Sequence, residues 1–247
     1  MSDELAVAPG EEPSPKRSDP WSDLALTLPI FVAYHLGVAF LPMRNAADVV
    51  THALVRLADD NLAAYAGLTL AIGTLFVSVL FVSGKGHKFE LSRFGLIAAE
   101  GLLYAVVMRF AASFVVGKLH LDAGAPAPPV LQEIGPFAGF VMSLGAGFYE
   151  EIAFRVVLFG LGATVIRLFA EPISPERARF IPFAWAFVAA LVFSAWHYVG
   201  PFGDDFELKS FVFRWVCGLV FTLIYSFRGF APAVWTHVIY DVWVLVF

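Results

Sequence analysis

The sequence predicts an all-α membrane protein, a polytopic bundle of about seven transmembrane helices (six to eight). Of 247 residues, 59% are hydrophobic and only 15% are charged, whereas about 25% of the residues in an ordinary soluble domain are charged. The chain has 26 Phe, 7 Tyr and 6 Trp residues, which is typical of helices that meet lipid. Apolar runs recur along the chain at close to the length of about 20 residues that a membrane-spanning helix needs.

The elements follow one another from a polar start. Residues 1–20 are rich in Pro, Asp, Glu and Ser and lack apolar periodicity, so they predict a disordered tail. The next apolar stretch begins late, behind acidic residues, which indicates a membrane span rather than a signal peptide. The predicted spans are residues 23–43, 63–83, 94–117, 136–170, 180–199, 211–227 and 231–247.

The stretch at 136–170 does not fit a simple span. At about 1.5 Å per residue, a straight helix of this length would overshoot the bilayer. We therefore expect it to tilt strongly, to break near Gly145 and Gly147, or to contain two segments. It also begins the predicted catalytic core, residues 136–247, which follows a set of N-terminal transmembrane helices at 21–135.

Loop charges predict the orientation in the membrane. With the N-terminus in the cytoplasm, nine Lys and Arg residues lie inside and five outside, which favours that orientation. The inner set is Lys16, Arg17, Lys85, Lys88, Arg93, Arg167, Arg177, Arg179 and Arg228, and the outer set is Arg44, Arg56, Lys118, Lys209 and Arg214. The formal charge is −5, and there is no basic stripe that would indicate nucleic acid as a partner.

Two further classes receive no support from the sequence. Cys217 is the only cysteine, which excludes an intramolecular disulfide and argues against a cysteine metal cluster. The chain shows no internal repeat, so an inverted-repeat transporter is not indicated.

The first polar motif inside a predicted span is GAGFYEEIAFR, residues 145–155. Charged groups in a span cost about 2.5 to 3.5 kcal/mol each on insertion scales, so they are usually paired or functional. Glu151 and Arg155 are four residues apart, which predicts an ion pair on one helix face. Glu150 is rotated by about 100° from Glu151 and can face a different cavity. The alternative is a buried charge cluster that only holds helices together.

Two more motifs lie in later spans. FSAWH ends one span with Phe193 and His197, and HVIYD places His237 and Asp241 four residues apart on the last span. That spacing puts both side chains on one helix face, where Asp241 can orient and polarise the imidazole. Taken singly, each motif is also consistent with an interfacial or purely structural role.

Together, the three motifs resemble those of the CPBP family of intramembrane proteases, also called the CAAX-processing or type II prenyl endopeptidase family. That family carries Glu-Glu-x-x-x-Arg, Phe-x-x-x-His and His-x-x-x-Asn or Asp on separate membrane helices. The resemblance covers residues 136–247 and includes the segment GLVFTLIYSFRGFAPAVWTH that leads to the third motif. Two positions depart from the pattern: Asp241 stands where Asn is common, and Tyr149 where a smaller apolar residue is expected.

The resemblance implies an endopeptidase that cleaves membrane-associated proteins in the lipid bilayer, with an inner membrane of a bacterium as the expected location. Prenylated CAAX tails and unprenylated membrane proteins both remain candidate substrates. The expected catalytic residues are Glu150, which activates water, His197, which shares that water, and His237 and Asp241 on the carbonyl-oxygen side. The expected supporting residues are Glu151, Arg155 and Phe193. The alternative function is a non-proteolytic immunity or scaffold protein that uses the same polar cluster structurally.

A cofactor is not required by these motifs, but zinc remains an alternative. Its ligands would be Glu150, His197 and His237, with one position left for water. The chain lacks the His-Glu-x-x-His helix in which two ligands share one face. This favours a metal-free glutamate mechanism. The reason is that no pair of ligands is pre-arranged on one helix.

Span positions raise a difficulty for this site. His197 lies late in its span and His237 early in a parallel one, so straight spans would separate them by about 10 Å or more in depth. The remaining polar residues within or near the spans are predicted to be structural, and they are Glu100, Arg109, His35, His52, His87 and His120.

Overall fold

The computed structural model describes residues 20–41, 43–59, 61–84, 91–121, 135–172, 174–200 and 203–247. All regular elements in these ranges are helical, and no strand occurs among them. The predicted disordered tail lies outside the described residues apart from Pro20, which begins the first helix. His87 also lies outside them.

Ten α-helices and two π-helical segments make up the described part of the chain. Their bounds are α1 Pro20–Val38, α2 Val49–Leu57, α3 Leu62–Ser83, α4 Ser92–Lys118, α5 Pro136–Gly145, α6 Gly162–Ala170, α7 Pro175–Ala178, α8 Ile181–Trp196, α9 Leu208–Arg228 and α10 Phe230–Leu245, with π-helical turns at Ala146–Glu150 and Ile152–Leu161.

Seven of the apolar helical stretches coincide with the seven predicted spans. Five are long and apolar enough to cross a membrane, and α8 and α10 are shorter apolar helices of 16 residues each. The lipid-facing character is plain on α3, where Leu70, Leu75 and Phe81 are mostly exposed. The prediction of an all-helical polytopic bundle is confirmed, and the chain is an integral membrane protein.

The long stretch Pro136–Ala170 is one continuous helix of 35 residues, without the break that was one of our expectations. Its winding changes instead. The backbone passes from α-helix to π-helix directly after Gly145, and residues at the junctions, such as Glu151, keep right-handed helical dihedral angles. π-Helical turns are rare and often mark functional sites. Here they lie on both sides of Glu151.

Helix α10 lies at the centre of the bundle and packs against α1, α4, α5, α9 and the first π-helical segment. Small side chains make this close packing feasible, because Ala231 and Ala233 are fully buried. Gly147 lies against the α10 backbone: a Cβ there would be 3.0 Å from the nitrogen of Val238 and 3.1 Å from the oxygen of Val234. This close approach brings the Glu-Glu pair next to the helix that carries His237.

Helix α1 is tied to the start of α10. The carboxylate oxygens of Asp23 accept hydrogen bonds from the backbone nitrogens of Phe230, at 2.8 Å, and Ala231, at 3.1 Å. Only Gly229 separates α9 from α10, and its φ of +108° is readily adopted only by glycine. Asp23 therefore satisfies backbone donors that a helix N-terminus would otherwise leave unpaired.

We expect Gly147→Ala to lower the free energy of unfolding by about 1 to 3 kcal/mol, the usual range for overpacking a tight contact. The added methyl group meets backbone atoms of α10, which cannot move independently of that helix. Thermal unfolding in detergent measures the change. Gly67→Ala on α3 is the matched control, because a Cβ there meets nothing within 4 Å. Equal effects of the two substitutions would contradict this prediction.

Helix α9 contains three basic residues that were expected in loops. Lys209 and Arg214 lie within it, and Arg228 is its last residue. Glu100 pairs with Arg228, with 2.6 Å between Oε1 and Nε. Arg109 lies over the Trp243 ring at 4.7 Å from its centroid. An apolar pattern ends a predicted span before a charged residue. Arg228 nevertheless belongs to α9, because its charge is paired with Glu100.

Candidate active site

Glu150 is the last residue of the first π-helical segment and is buried, with 6% of its surface exposed. Its Oε1 accepts a hydrogen bond from the side-chain nitrogen of Asn45 at 2.9 Å. Its Oε2 has no hydrogen-bond partner among the described residues. Buried carboxylate oxygens are normally satisfied, so Oε2 is the atom of this side chain that is available to a water or a substrate.

Glu151 joins two other site residues rather than one. Its Oε2 is 3.2 Å from Nε of Arg155, and its Oε1 is 2.7 Å from Nδ1 of His237. The predicted ion pair with Arg155 is therefore present. The contact with His237 was not predicted, because helical spacing describes neighbours on one helix and His237 lies on α10.

Arg155 is fully enclosed, with 1% of its surface exposed. Its guanidinium lies 4.2 Å from the ring centroid of Phe193 and 4.8 Å from that of Phe221. Desolvated cation–π contacts of this kind contribute about 2 kcal/mol. Phe193, expected as a supporting residue, therefore lies directly on the arginine that pairs with Glu151.

His237 lies at the middle of α10 with 4% of its surface exposed. Because a carboxylate only accepts hydrogen bonds, Nδ1 carries a proton and donates a hydrogen bond to Glu151. The ring stacks on Phe221, with 4.6 Å between centroids. Nε2 is 3.5 Å from Oδ2 of Asp241, a contact too long for a good hydrogen bond. Glu151 thus orients the imidazole by the short bond, where the sequence had assigned this task to Asp241.

His197 directly follows α8 as its C-cap residue. Its Nδ1 is 3.0 Å from the backbone oxygen of Phe193, so Nδ1 donates and Nε2 of the neutral ring is left as an acceptor. The Phe193 ring lies edge-on to both imidazoles, with centroid distances of 5.0 Å to His197 and 6.0 Å to His237.

The depth mismatch expected for the two histidines is absent. Helix α8 ends at Trp196, short of the span that the apolar pattern suggests, and α10 begins at Phe230. His237 is therefore central in its helix, and Phe193 contacts both imidazoles.

The four candidate catalytic groups form one electrostatic cluster. His197 interacts with Glu150 and His237, and Asp241 interacts with His237 and with both glutamates. Among the described residues, no group of three or more His, Cys, Asp or Glu side chains is arranged to hold a metal ion. The metal-free mechanism stays a prediction, as does the alternative zinc set of Glu150, His197 and His237.

Two residues near the site were missed from the sequence. Asn45 reaches Glu150 from the segment between α1 and α2. Arg214 interacts electrostatically with His197 and Asp241, pairs with Asp204 and lies over the Tyr198 ring. Arg214 gave a signal that could have been used, since an arginine inside an apolar stretch is costly unless it has a partner. For Asn45 the sequence gives no signal, because its neighbour in space is 105 residues away.

The two departures from the family pattern have different surroundings. Tyr149 points away from the cluster toward α1, where its hydroxyl is 2.7 Å from Nε2 of His35. His35, predicted to be structural, is buried and also lies 3.4 Å from the hydroxyl oxygens of Tyr65 and Thr51. Asp241 faces the site and is partly exposed. The tyrosine is thus accommodated by a histidine on the first helix.

This architecture belongs to the class of polytopic helical membrane proteins that enclose a polar site between their spans. Residues 132–243 match the family model described as Type II CAAX prenyl endopeptidase Rce1-like. This segment is similar to that family, and the resemblance seen in the three motifs is confirmed by the match. No curated protein and no solved structure matches the chain.

Proposed function

We propose that this protein is an intramembrane endopeptidase that hydrolyses peptide bonds of membrane-associated proteins, with Glu150 as the residue that activates water. The observation that carries the proposal is the buried carboxylate of Glu150, whose Oε2 has no protein partner among the described residues while Oε1 is held. The match of residues 132–243 to a family model of prenyl endopeptidases supports the same reaction class.

In the first step, Glu150 takes a proton from water at Oε2, and the water oxygen bonds to the carbonyl carbon of the substrate. His197 accepts a hydrogen bond from the same water through Nε2, because its Nδ1 is committed to Phe193. The proton held on Glu150 then passes to the leaving amine nitrogen as the peptide bond breaks. General acid–base catalysis of this kind contributes about 10²- to 10⁴-fold in rate.

His237 stabilises the developing oxyanion in this proposal. Because Nδ1 of His237 donates to Glu151, the protonated Nε2 is the second donor of the ring. It faces away from Glu151 and toward the substrate. A preorganised donor of this kind stabilises the negative charge of the tetrahedral intermediate. Asp241 lies beside Nε2, and as an anion it would repel the oxyanion. We therefore assign it to His237 rather than to the substrate oxygen.

The substrate class is tested with the protein reconstituted in liposomes. One model substrate carries a prenylated CAAX tail and the other is an unprenylated transmembrane peptide, and mass spectrometry identifies the products. Cleavage of either supports the proposal and names the substrate class. Comparison of membrane proteomes from cells with and without the protein extends the test to natural substrates. No cleavage in either experiment would favour the immunity or scaffold alternative.

We further propose that the N-terminus faces the cytoplasm. Lys209, Arg214 and Arg228 lie on α9, and setting them aside leaves eight inner against three outer basic residues, which still follows the positive-inside rule. Accessibility of a tag at residue 1 to a protease in sealed vesicles measures the orientation. The bacterial inner membrane stays a prediction.

We expect cleavage to persist after the purified protein is treated with a chelator and dialysed. The physical reason is that Glu150, His197 and His237 are not gathered as ligands, and that Glu150 Oε1 is already bonded to Asn45. Elemental analysis for zinc, paired with the cleavage assay, measures this. Re-addition of zinc is the control and should not raise the rate. Stoichiometric zinc whose removal stops cleavage would show the metal-free mechanism to be wrong.

A further inference from the structure

Asn45 belongs to the N-terminal part of the chain, which carries none of the three motifs. Its side-chain nitrogen donates to Oε1 of Glu150 at 2.9 Å. Its side-chain oxygen accepts from the backbone nitrogen of Ala47 at 2.8 Å. Because a backbone N–H can only donate, the amide oxygen must face Ala47 and the amide NH₂ must face Glu150.

The segment that carries Asn45 is held in place by α1 and α2. The backbone nitrogen of Asn45 donates to the Tyr34 hydroxyl at 3.2 Å, and this hydroxyl donates to Oδ2 of Asp48 at 2.7 Å. Oδ1 of Asp48 accepts from the backbone nitrogen of Thr51 at 2.8 Å and caps α2. Tyr34, Asp48 and Thr51 are fully buried. The position of the Asn45 amide is therefore fixed by a buried network rather than by a free loop.

A second contact ties the same π-helical segment to α1. Tyr149 precedes Glu150, and its hydroxyl bonds to His35 at 2.7 Å. Consecutive residues of the segment are thus held from the N-terminal side of the bundle, Tyr149 by α1 and Glu150 by the segment that follows it. The remaining oxygen of Glu150, Oε2, is left without a protein partner among the described residues.

We propose that Asn45 is a positioning residue for Glu150. Asn45 binds Oε1 of Glu150 and thereby directs Oε2 to the water that Glu150 deprotonates. This inference rests on the proposed function of Glu150. The N-terminal helices then complete the active site of a core whose motifs all lie between residues 145 and 241. Misplacement of a reacting group by about 1 Å can cost 10²-fold in rate.

Asn45→Asp tests the proposal, because it keeps an oxygen for Ala47 and replaces the amide donor with an oxygen that faces Glu150. Asn45→Ala removes both contacts. If Asn45 positions Glu150, we expect kcat to fall by about 10- to 100-fold in the alanine variant and further in the aspartate variant, with little change in KM. If Asn45 only supports its segment, the ranking reverses, since the aspartate variant keeps the Ala47 contact. That reversal would overturn the proposal.

Asn61→Asp is the matched control. Its Oδ1 accepts from the backbone nitrogens of Ala63 and Ala64 at the start of α3, and aspartate preserves this acceptor. We expect no change in kcat, KM or unfolding temperature. We expect the aspartate variant at position 45 to unfold at a lower temperature, because its carboxylate faces that of Glu150, but in one cooperative transition, which would show that it folds.

Two further arms separate this inference from the proposed function. If Glu150→Gln cleaves normally, the proposed function of Glu150 fails, whereas an inactive Glu150→Gln beside a fully active Asn45→Asp refutes only the role of Asn45. A double-mutant cycle of Asn45→Ala and Glu150→Ala on the unfolding midpoint needs no substrate. We expect the two shifts to be non-additive, and additive shifts would refute the contact on which the proposal depends.

Discussion

Replacing Glu150 with glutamine is expected to abolish peptide cleavage while the protein still inserts and folds. Glutamine keeps the shape of the side chain and an oxygen that can accept from Asn45, but its amide nitrogen cannot take a proton from water. Loss of the general base should lower kcat by about 10²- to 10⁴-fold. The measurement is cleavage, in liposomes, of whichever model substrate the wild-type protein cleaves, with circular dichroism to confirm folding.

Glu171→Gln provides the control on the same long helix. Glu171 has 53% of its surface exposed and forms an i,i+4 ion pair with Arg167, so neutralising it removes a carboxylate outside the site. We expect wild-type cleavage from this variant. Full activity of Glu150→Gln would remove Glu150 from the mechanism, and with it the proposed function in its present form.

Arg155→Met is expected to lower the free energy of unfolding by about 3 to 5 kcal/mol, the usual cost of leaving one partner of a buried ion pair alone. The substitution keeps much of the apolar volume between Phe193 and Phe221 but removes the arginine partner of the Glu151 carboxylate, which is 0% exposed. Detergent-solubilised protein should therefore unfold at a clearly lower temperature than the wild type.

The chain offers a matched comparison for this substitution. Arg167 and Glu171 form a second i,i+4 pair, further along the same helix, in which both side chains are 53% exposed. Exposed pairs contribute about 0 to 1 kcal/mol, so Arg167→Met should change the unfolding temperature little. A loss in Arg155→Met no larger than in Arg167→Met would show that the buried pair does not stabilise the site.

Much of the fold was predictable because lipid imposes one demand on every span. Backbone groups must be satisfied within the segment, so long apolar runs become helices. The ion pair of Glu151 with Arg155 was equally predictable, since the spacing of four is local geometry. Both inferences need only neighbours along the chain.

The arrangement around His237 could not be predicted in the same way. Its short bond goes to Glu151 on another helix, while its sequence neighbour Asp241 lies further away, at 3.5 Å. Helical periodicity ranks contacts within a helix and says nothing about which helix packs alongside. The change to π-helix after Gly145 was also hidden, because the apolar residues Ala146, Gly147 and Phe148 are equally compatible with an α-helix.

The bonds between Asp23 and the backbone of Phe230 and Ala231 have a consequence for the order in which the protein is made. Asp23 enters the membrane first, and its partners are 207 and 208 residues away. His237 follows Glu150 by 87 residues in the sequence. It lies on α10, whose first residue donates a backbone hydrogen bond to Asp23 on α1. Under the proposed function, the set of catalytic side chains is complete only once α10 has been made, because His237 and Asp241 lie on that helix.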